Sequence, residues 1–383
     1  MNILLTGIDG YIGWPTALKL SKEFKEAKII GVDNLARRKW VQKCGSVSAI
    51  PVFPMETRLE AAREHGFQNI CFDEGDLADK LFVDQLISVF KPEVILHCAA
   101  QPSAPYSHIN GHLANYTQFN NNQSTRNLLW SVKENNLIDK THFIEMTTMG
   151  VYGAPEFEIP EGFIDVKRKG KKDTLPYPGM AGSWYHMSKS NDVNNLVLAN
   201  RMWGMSITDL RTAILYGTET EETVLDSRLS TRFDFDFYFG VVGNRFCAMA
   251  LAGFPITIYG KGEQDKPQIS LEDCVQSNVN AVRLEKNNKF NVYNQATAVV
   301  SIKELSVAIK NAAEDCGIKT EINHIENPRV EKEEHKMTIS NEKFMRLLGV
   351  QKFDIERGMK QVIKSLVPFK ETIEAYKDSF IST

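Results

Sequence analysis

The sequence lacks the cysteine spacings of a disulfide-stapled or zinc-binding protein. Its 383 residues include only six cysteines, and no two of them form a Cys-x-x-Cys pair. Small disulfide frameworks and structural zinc sites both depend on closely spaced cysteines. We therefore expect buried thiols in a reducing compartment, and we predict no metal site.

A strong charge of one sign and long apolar runs are also missing. The net charge is −3 at pH 7, so no global field attracts nucleic acid or an anionic membrane. No run of 18 apolar residues could form a membrane-spanning helix, and no signal-peptide pattern precedes the strand-like segment at 3–6. We therefore expect a cytoplasmic protein that binds neither membranes nor nucleic acid.

The first half alternates short apolar runs with amphipathic stretches of helical length. Strand-like runs lie at 3–6, 28–33, 69–72, 93–99, 143–148 and 206–210, with helical patterns between them, for example at 77–90 and 115–135. This alternation is typical of βαβ units, in which helices cover both faces of a parallel sheet. The pattern predicts an α/β fold with a Rossmann-type, doubly wound parallel sheet at 1–212.

After residue 212 the segments become shorter and are punctuated by glycine and proline. We interpret residues 213–383 as a smaller α+β domain that binds the substrate. A segment at about 244–262, which begins with an apolar helical pattern, is predicted to return to the first domain. The tail is predicted to alternate helices with short strands, one of them at 320–325.

A glycine-rich turn follows the first strand and opens a helix, with the sequence Gly7-Ile8-Asp9-Gly10-Tyr11-Ile12-Gly13. Such glycines let a pyrophosphate approach the backbone at a helix N-terminus. Asp33 ends the second strand twenty residues later, where a carboxylate accepts hydrogen bonds from the adenosine ribose and repels a 2′-phosphate. Arg37 and Arg38 follow and are typical of NADP sites, but the position of Asp33 favours NAD. Asp76 is expected either to cap the next helix or to meet the adenine.

The segment Tyr185-His186-Met187-Ser188-Lys189 places a tyrosine and a lysine on one face of a helix. A free phenol titrates near pH 10, and a neighbouring ammonium favours its ionised form. Tyr185 can therefore take a hydroxyl proton while a hydride leaves the carbon, and Lys189 would hold the nicotinamide ribose. Thr148, at the end of the fifth strand, is expected to hydrogen-bond the reacting oxygen. The alternative is a surface tyrosine and lysine on an unrelated helix.

These motifs together resemble the extended short-chain dehydrogenase family, and within it the group of UDP-sulfoquinovose synthases. The resemblance runs from the N-terminus to about residue 350 and includes motifs of the turn and the helix just described. The motifs are Asp9-Gly10-Tyr11 with Gly13-Trp14, Val32-Asp33-Asn34-Leu35, Arg37-Arg38, Ser103-Ala104-Pro105-Tyr106-Ser107, Thr148-Met149-Gly150, the segment 173–178, the Tyr185 segment, Asn244-Arg245-Phe246-Cys247, Tyr259-Gly260-Lys261-Gly262 and the segment 327–331.

The resemblance implies a reaction between UDP-glucose and sulfite on a tightly bound NAD. The sugar is oxidised at C4, loses water from C5–C6, takes up sulfite at C6 and is reduced again at C4. The resemblance also implies a homodimer that pairs the helices around 115–135 and 182–203. Apolar positions beyond one face of these helices include Trp130, Leu196, Leu198 and Met202. A purely intramolecular core is the alternative.

The sequence also departs from its relatives. Nucleotide-sugar 4,6-dehydratases carry Asp-Glu after the threonine, where this chain has Met149-Gly150, so the base for the C5 proton is unassigned. His186 is the candidate, although a structural histidine is the alternative. Pro102 and Lys266 stand where the sulfoquinovose group favours arginine.

The predicted site residues fall into three sets. The catalytic set is Thr148, Tyr185, Lys189 and His186. The cofactor set is Gly7, Asp9, Gly10, Tyr11, Ile12, Gly13, Asp33, Asn34, Arg37, Arg38, Asp76, Leu77, Tyr185 and Lys189. The substrate set, in which Arg245 and Arg329 are the expected diphosphate partners, is Gln101, Ser103, Tyr106, Gln118, Asn120, Asn121, Thr148, Met149, Gly150, Tyr185, Arg211, Asn244, Arg245, Gln264 and Arg329.

Two other functions fit part of the sequence. A UDP-hexose 4-epimerase shares the first oxidation and the cofactor, and it needs no sulfite. A non-catalytic nucleotide-sensing or RNA-binding relative would keep the fold, but it would not need a tyrosine whose ionised form is favoured by a neighbouring lysine. The basic run at 167–172 is interpreted as a solvated loop, with steering of anionic substrates as the alternative.

Overall fold

The computed structural model describes residues 1–177, 179–327, 335–349 and 354–381. The strands in these residues are β1 (Asn2–Thr6), β2 (Lys28–Asp33), β3 (Ile70–Glu74), β4 (Val94–His97), β5 (His142–Thr148), β6 (Phe163–Arg168), β7 (Lys171–Pro176), β8 (Ser206–Thr212), β9 (Ile214–Tyr216), β10 (Ile256–Tyr259), β11 (Asp265–Ser270), β12 (Phe290–Gln295), β13 (Ala298–Ser301) and β14 (Ile322–Ile325).

The α-helices in the same residues are α1 (Gly13–Glu23), α2 (Ala36–Lys43), α3 (Met55–Glu64), α4 (Lys80–Phe90), α5 (Ala104–Ser107), α6 (Gly111–Glu134), α7 (Trp184–Trp203), α8 (Val242–Leu251), α9 (Leu271–Val282), α10 (Ile302–Glu314), α11 (Glu342–Leu348), α12 (Ile355–Leu366) and α13 (Lys370–Ala375). No helix among the described residues is long and apolar enough to cross a bilayer.

Seven of the described strands form one parallel sheet in the order β12-β8-β5-β4-β1-β2-β3. The six strands predicted from the sequence are all members of this sheet. The chain order reverses between β1 and β4, and ligands of doubly wound sheets bind beside such a reversal, outside the carboxyl ends of the strands. The predicted doubly wound α/β fold is confirmed.

Alternating side chains of β1 serve two separate cores. Ile3 and Leu5 pack against the face covered by α1 and α9, whereas Leu4 packs against the face covered by α4, α6 and α7. All three side chains are fully buried. A strand covered on both faces needs apolar residues at successive positions, which explains the unbroken apolar run at the start of the chain.

A further core lies among α8, α10, α12 and β10. It contains Phe246, Met249, Ile256, Leu305 and Met359. The segment 244–262 therefore packs with the helices of the second half, and the strand that the second half adds to the large sheet is β12. The division of the chain into domains at residue 212 stays a prediction.

Candidate active site

A cavity of about 1220 Å³ opens beside the carboxyl ends of β1, β4 and β5 and extends to residues of the second half. This volume exceeds the range for a single drug-sized ligand. The predicted site residues in its wall are Gly7, Gly10, Tyr11, Ile12, Gly13, Asp33, Asn34, Arg37, Asp76, Leu77, Ser103, Asn120, Thr148, Met149, Gly150, Tyr185, His186, Lys189, Arg245 and Gln264.

The glycine turn brings bare backbone to this cavity. Gly7 has a φ of +75°, and its N–H donates to the Val32 carbonyl at 2.7 Å. A Cβ on Gly7 would lie 2.8 Å from the backbone nitrogen of Ala99, and a Cβ on Gly13 would lie 2.0 Å from the Gly7 carbonyl oxygen. No side chain fits at either position, so the N-terminus of α1 stays open to an anionic group.

Asp33 lies at the end of β2 beside the turn. Its Oδ2 accepts from the Asp9 N–H at 2.9 Å, and its Oδ1 accepts from the Leu35 N–H at 2.8 Å. Burial, followed by the nearby Asp9 carboxylate, raises the pKa of Asp33 to about 6. The group therefore stays mostly ionised at neutral pH and can accept hydrogen bonds from a ligand in the cavity.

Asp9 does not line the cavity, because two arginines hold it behind the turn. Its Oδ1 lies 2.7 Å from Arg38 Nη2 and 2.8 Å from Arg58 Nη1. Arg58 is fully buried, with its guanidinium 4.1 Å from the centre of the Trp14 ring, and burial lowers its pKa to about 9. The two ion pairs fix the glycine turn onto the protein, and they take Asp9 and Arg38 out of the cavity wall.

We expect the Asp9→Ala variant to unfold at a clearly lower urea concentration. The substitution leaves the buried Arg58 guanidinium without its carboxylate, and breaking a buried pair in this way costs about 3–5 kcal/mol. The measurement is the urea midpoint, followed by circular dichroism and by tryptophan fluorescence. Asp315→Ala, which removes the exposed partner of Lys360, is the control and should leave the midpoint nearly unchanged. Equal midpoints in the two variants would contradict this role of Asp9.

Arg37 is also engaged by an acidic partner from the second half. Its Nη2 lies 2.7 Å from Asp234 Oδ2, and its guanidinium lies 4.1 Å from the centre of the Phe239 ring. The same carboxylate accepts from Nε of Arg232 at 3.0 Å. Arg232 is buried, lines the cavity and was not predicted from the sequence. The alternation of charged and aromatic residues at 232–237 is the signal that could have indicated it.

Tyr185 and Lys189 lie on α7, which begins after the N-cap residue Ser183. Thr148 lies at the end of β5, and the three predicted catalytic side chains line the same cavity. Burial raises the pKa of Tyr185, and the Lys189 ammonium opposes that rise. Lys189 Nζ donates to Glu145 Oε1 at 2.9 Å, and this glutamate was also not predicted from the sequence. A charged residue within the buried run 142–147 is the signal that could have revealed it.

His186 occupies the space that a side chain at position 150 would need. A Cβ on Gly150 would lie 2.4 Å from Cδ2 and 2.5 Å from Nε2 of the His186 ring. The ring also lies beside Tyr185, with centroids 5.1 Å apart. Because Gly150 stands where 4,6-dehydratases carry a glutamate, the His186 imidazole has room in the cavity wall.

Several predicted residues hold loops together outside the cavity wall. Gln101 donates to Thr117 Oγ1 at 2.8 Å, and Asn121 donates to Ser188 Oγ at 2.9 Å. The other such residues are Tyr106, which packs on Phe239; Gln118, which donates to the Trp184 carbonyl; Arg211, which pairs with Asp209; and Asn244, which donates to the Tyr11 hydroxyl. Arg329 lies outside the described residues.

Asp76 lines the cavity but does not cap α4. Its Oδ1 accepts from the Ala78 N–H at 2.9 Å, whereas the cap of α4 is Asp79, whose side chain accepts from the N–H groups of Leu81 and Phe82. The capping interpretation of Asp76 is therefore wrong, because the helix begins three residues later than its sequence pattern suggested. Among the described residues, no group of three or more His, Cys, Asp or Glu side chains could hold a metal ion.

Comparisons with known proteins agree with this geometry. Residues 3–295 match the model of the NAD dependent epimerase/dehydratase family. The chain is 40% identical to a UDP-sulfoquinovose synthase of Sulfolobus acidocaldarius, over 98% of this chain and 95% of that protein. It is 39% identical to a chloroplastic UDP-sulfoquinovose synthase of Spinacia oleracea, over 87% of this chain and 69% of that protein.

A solved structure shares the fold at lower sequence identity. The UDP-glucuronic acid 4-epimerase of Bacillus cereus, solved with UDP-glucuronic acid and NAD, superposes with a TM-score of 0.69 at 20% identity. The alignment covers 96% of this chain and 99% of the epimerase. The family match and the two synthases carry the assignment: the chain belongs to the NAD dependent epimerase/dehydratase family, within its group of UDP-sulfoquinovose synthases.

Proposed function

We propose that this enzyme converts UDP-glucose and sulfite to UDP-sulfoquinovose, in the cytoplasm, with one NAD retained through the cycle. The observation that carries the proposal is the 40% identity to a UDP-sulfoquinovose synthase over nearly the whole chain. A cavity that joins a glycine turn to a tyrosine, a lysine and a threonine supports it. The enzyme would recycle its cofactor, so the reaction has no net redox change.

The residues of the cavity fit NAD. The backbone of the turn from Gly7 to Gly13 would hold the pyrophosphate, Asp33 the adenosine ribose, and Lys189 the nicotinamide ribose. Arg37 and Arg38 are paired with Asp234 and Asp9, so the charge of each guanidinium is already balanced without a 2′-phosphate. These pairs favour NAD over NADP. When bound, NAD would accept a hydride from C4 of the sugar and return it there later.

Three side chains would take part in transfer of the C4 hydroxyl proton. Tyr185 would take this proton at its phenol oxygen during oxidation and give it back during reduction. The Lys189 ammonium would stabilise the phenolate, which burial alone disfavours. Thr148 would donate a hydrogen bond to the same sugar oxygen and so keep it directed at the phenol.

His186 would act on the neighbouring carbon. A keto group at C4 acidifies the proton at C5, and loss of this proton expels the C6 hydroxyl as hydroxide, which the proton of the incoming hydrogen sulfite converts to water. Support for His186 as the base comes from its ring, which fills the space above Gly150. After sulfite adds at C6, the same imidazole, whose proton exchanges with solvent, would protonate C5 and so return to its neutral form before C4 is reduced.

Basic and amide side chains would bind the UDP part. Arg245 lies in the cavity wall with its guanidinium 5.7 Å from the centre of the Tyr259 ring, and it is the proposed partner of the diphosphate. Asn120 and Gln264, also in the wall, would hydrogen-bond the sugar or the diphosphate. The assignment of Arg329 as a second diphosphate partner stays a prediction.

The deciding experiment is incubation with UDP-glucose in the presence and absence of sulfite, followed by mass spectrometry of the nucleotide sugar. We expect the sulfosugar nucleotide only with sulfite, and retention of a deuterium label placed at C4. A galactose-configured product formed without sulfite would identify a 4-epimerase instead. Release of NADH in proportion to the sugar consumed would identify a simple dehydrogenase.

The surface of α6 and α7 supports the proposed homodimer. The two helices pack together, and both carry large apolar side chains that stay exposed in the single chain. These side chains are Phe119 and Trp130 on α6, and Trp184, Met187, Leu198 and Met202 on α7. Leu196 is fully buried, so its expected outward position is wrong. Two adjacent apolar helices of this kind would form a four-helix bundle with a second copy.

We expect light scattering at micromolar concentration to give twice the monomer mass of 43.3 kDa. Met202→Glu should convert the protein to a monomer, because Met202 is 64% exposed on this surface and a dimer would bury the added charge. Val307→Glu, an exposed position on α10, is the matched control and should stay dimeric. A monomeric wild type would contradict the proposal.

A further inference from the structure

Lys189 ends in a buried cluster of charges. Its Nζ lies 2.9 Å from Glu145 Oε1 and 3.8 Å from Asp192 Oδ2. The side chain of Lys189 is 3% exposed, and both carboxyl groups are fully buried. One ammonium therefore faces two carboxyl groups that are shielded from bulk solvent.

Charge balance favours one neutral carboxyl in this cluster. With both carboxylates ionised, the cluster carries a net charge of −1 in the interior, and an uncompensated buried charge is costly. Asp192 Oδ1 accepts from Asn122 Nδ2 at 2.9 Å, a hydrogen bond that favours the ionised form. Among the described residues, neither Glu145 Oε2 nor Asp192 Oδ2 has a hydrogen-bond partner. Glutamate is the weaker acid of the two residue types, so Glu145 is the group better suited to hold a proton.

His97 lies beside the second oxygen of Glu145. Its Nε2 lies 3.9 Å from Glu145 Oε2, beyond hydrogen-bond distance, and 3.3 Å from Thr125 Oγ1, whereas its Nδ1 lies 2.6 Å from Thr6 Oγ1. Burial, followed by the Lys189 charge, lowers the pKa of His97 to about 3, so the imidazole is neutral. A neutral imidazole adds no positive charge that would favour the ionised form of Glu145.

We propose that Glu145 is a positioning residue that holds a proton at neutral pH, and that it sets the acidity of Tyr185 through Lys189. The inference rests on the proposed function for the role of Tyr185. A neutral Glu145 leaves the charge of Lys189 uncancelled, which favours the phenolate. An ionised Glu145 cancels that charge and disfavours it.

The groups that face Glu145 come from three elements. Lys189 and Asp192 extend from α7, His97 extends from β4, and Asp209 lies on β8 beside β5. Burial raises the pKa of Glu145 to about 7, with the Lys189 charge opposing and the Asp209 charge adding to the rise. This value agrees with a carboxyl that gains and loses its proton near neutral pH.

The direct test is infrared difference spectroscopy of the whole enzyme on either side of neutral pH, without substrate. We expect a protonated carboxyl band that is present below neutral pH, disappears above it and is absent from Glu145→Gln. His97→Asn should shift the band, which assigns it independently if Glu145→Gln does not fold. A wild type without such a band would overturn the proposal.

The second readout is the pH profile of C4 oxidation in Glu145→Gln. Glutamine keeps an acceptor for Lys189 but never carries a charge. The rising limb that follows Tyr185 ionisation should therefore move by about one pH unit to lower pH. A purely structural role would leave the limb in place, and that result would overturn the proposal.

Glu222→Gln is the matched control. Glu222 is a buried carboxylate that pairs with Lys22 at 2.8 Å, and it does not line the cavity. Its substitution should leave both the band and the pH profile unchanged. Failure of wild-type enzyme to act on UDP-glucose would contradict the proposed function, whereas the infrared band would still decide the charge state of Glu145.

Discussion

Tyr185→Phe should lower turnover by about 10²–10⁴-fold, the usual cost of losing a general base. The phenylalanine ring fills the same space in the cavity wall, so the fold and the binding of UDP-glucose should survive. Without the phenol oxygen, the C4 hydroxyl has no proton acceptor at the position that Lys189 stabilises. The measurement combines single-turnover kinetics with UDP-glucose affinity from calorimetry, so that loss of chemistry is separated from loss of binding.

Tyr293→Phe provides the control for Tyr185→Phe. Tyr293 is a buried tyrosine on β12 that does not line the cavity. Its loss should leave turnover close to that of the wild type. If Tyr185→Phe kept comparable turnover, Tyr185 would have to be removed from the mechanism.

His186→Ala should block the reaction after C4 oxidation. Product formation should fall by about 10²–10⁴-fold, because the proton at C5 loses its base. Oxidation at C4 depends on Tyr185 and should continue, so absorbance near the NADH band should still rise when UDP-glucose is added. In deuterated water, wild-type product should carry deuterium at C5, and recovered substrate from the variant should not.

Gly150→Ala tests the role of His186 by changing the residue that its imidazole contacts. The added methyl group would lie 2.4 Å from the His186 ring, so the imidazole must move. We expect the same block after C4 oxidation as in His186→Ala. Gly111→Ala is the control, because nothing lies within 4 Å of a Cβ at that position. Wild-type product formation by His186→Ala would show that another group removes the C5 proton.

Local sequence patterns predicted the elements of the nucleotide-binding half well. The six predicted strands are all present in the parallel sheet, and the helix at 115–135 corresponds to α6. The strands are buried on both faces and are therefore short apolar runs, whereas the helices are buried along one stripe and have a regular apolar spacing. Both patterns are recognisable in the sequence alone. The antiparallel pair β6–β7 was missed because its side chains are mostly exposed, which leaves no apolar pattern to recognise.

The candidate site was predicted where its motifs are contiguous in the chain. Tyr185, His186 and Lys189 share one turn and a half of α7, and the glycine turn joins β1 to α1. Partners that are distant in the sequence were not foreseen. Arg38 and Asp9 were assigned to the cofactor; the structure pairs them with each other outside the cavity wall, and their contact with the cofactor stays a prediction.

By itself, the sequence determined six strands of the parallel sheet, the nucleotide turn and the tyrosine–lysine pair, because each depends on spacings of a few residues. Only the tertiary structure decided which charges meet. The pairs Arg37–Asp234 and Lys189–Glu145 join residues 197 and 44 positions apart. A buried charge must find its counter-charge wherever the chain brings one, and that choice follows from packing in three dimensions rather than from any local pattern.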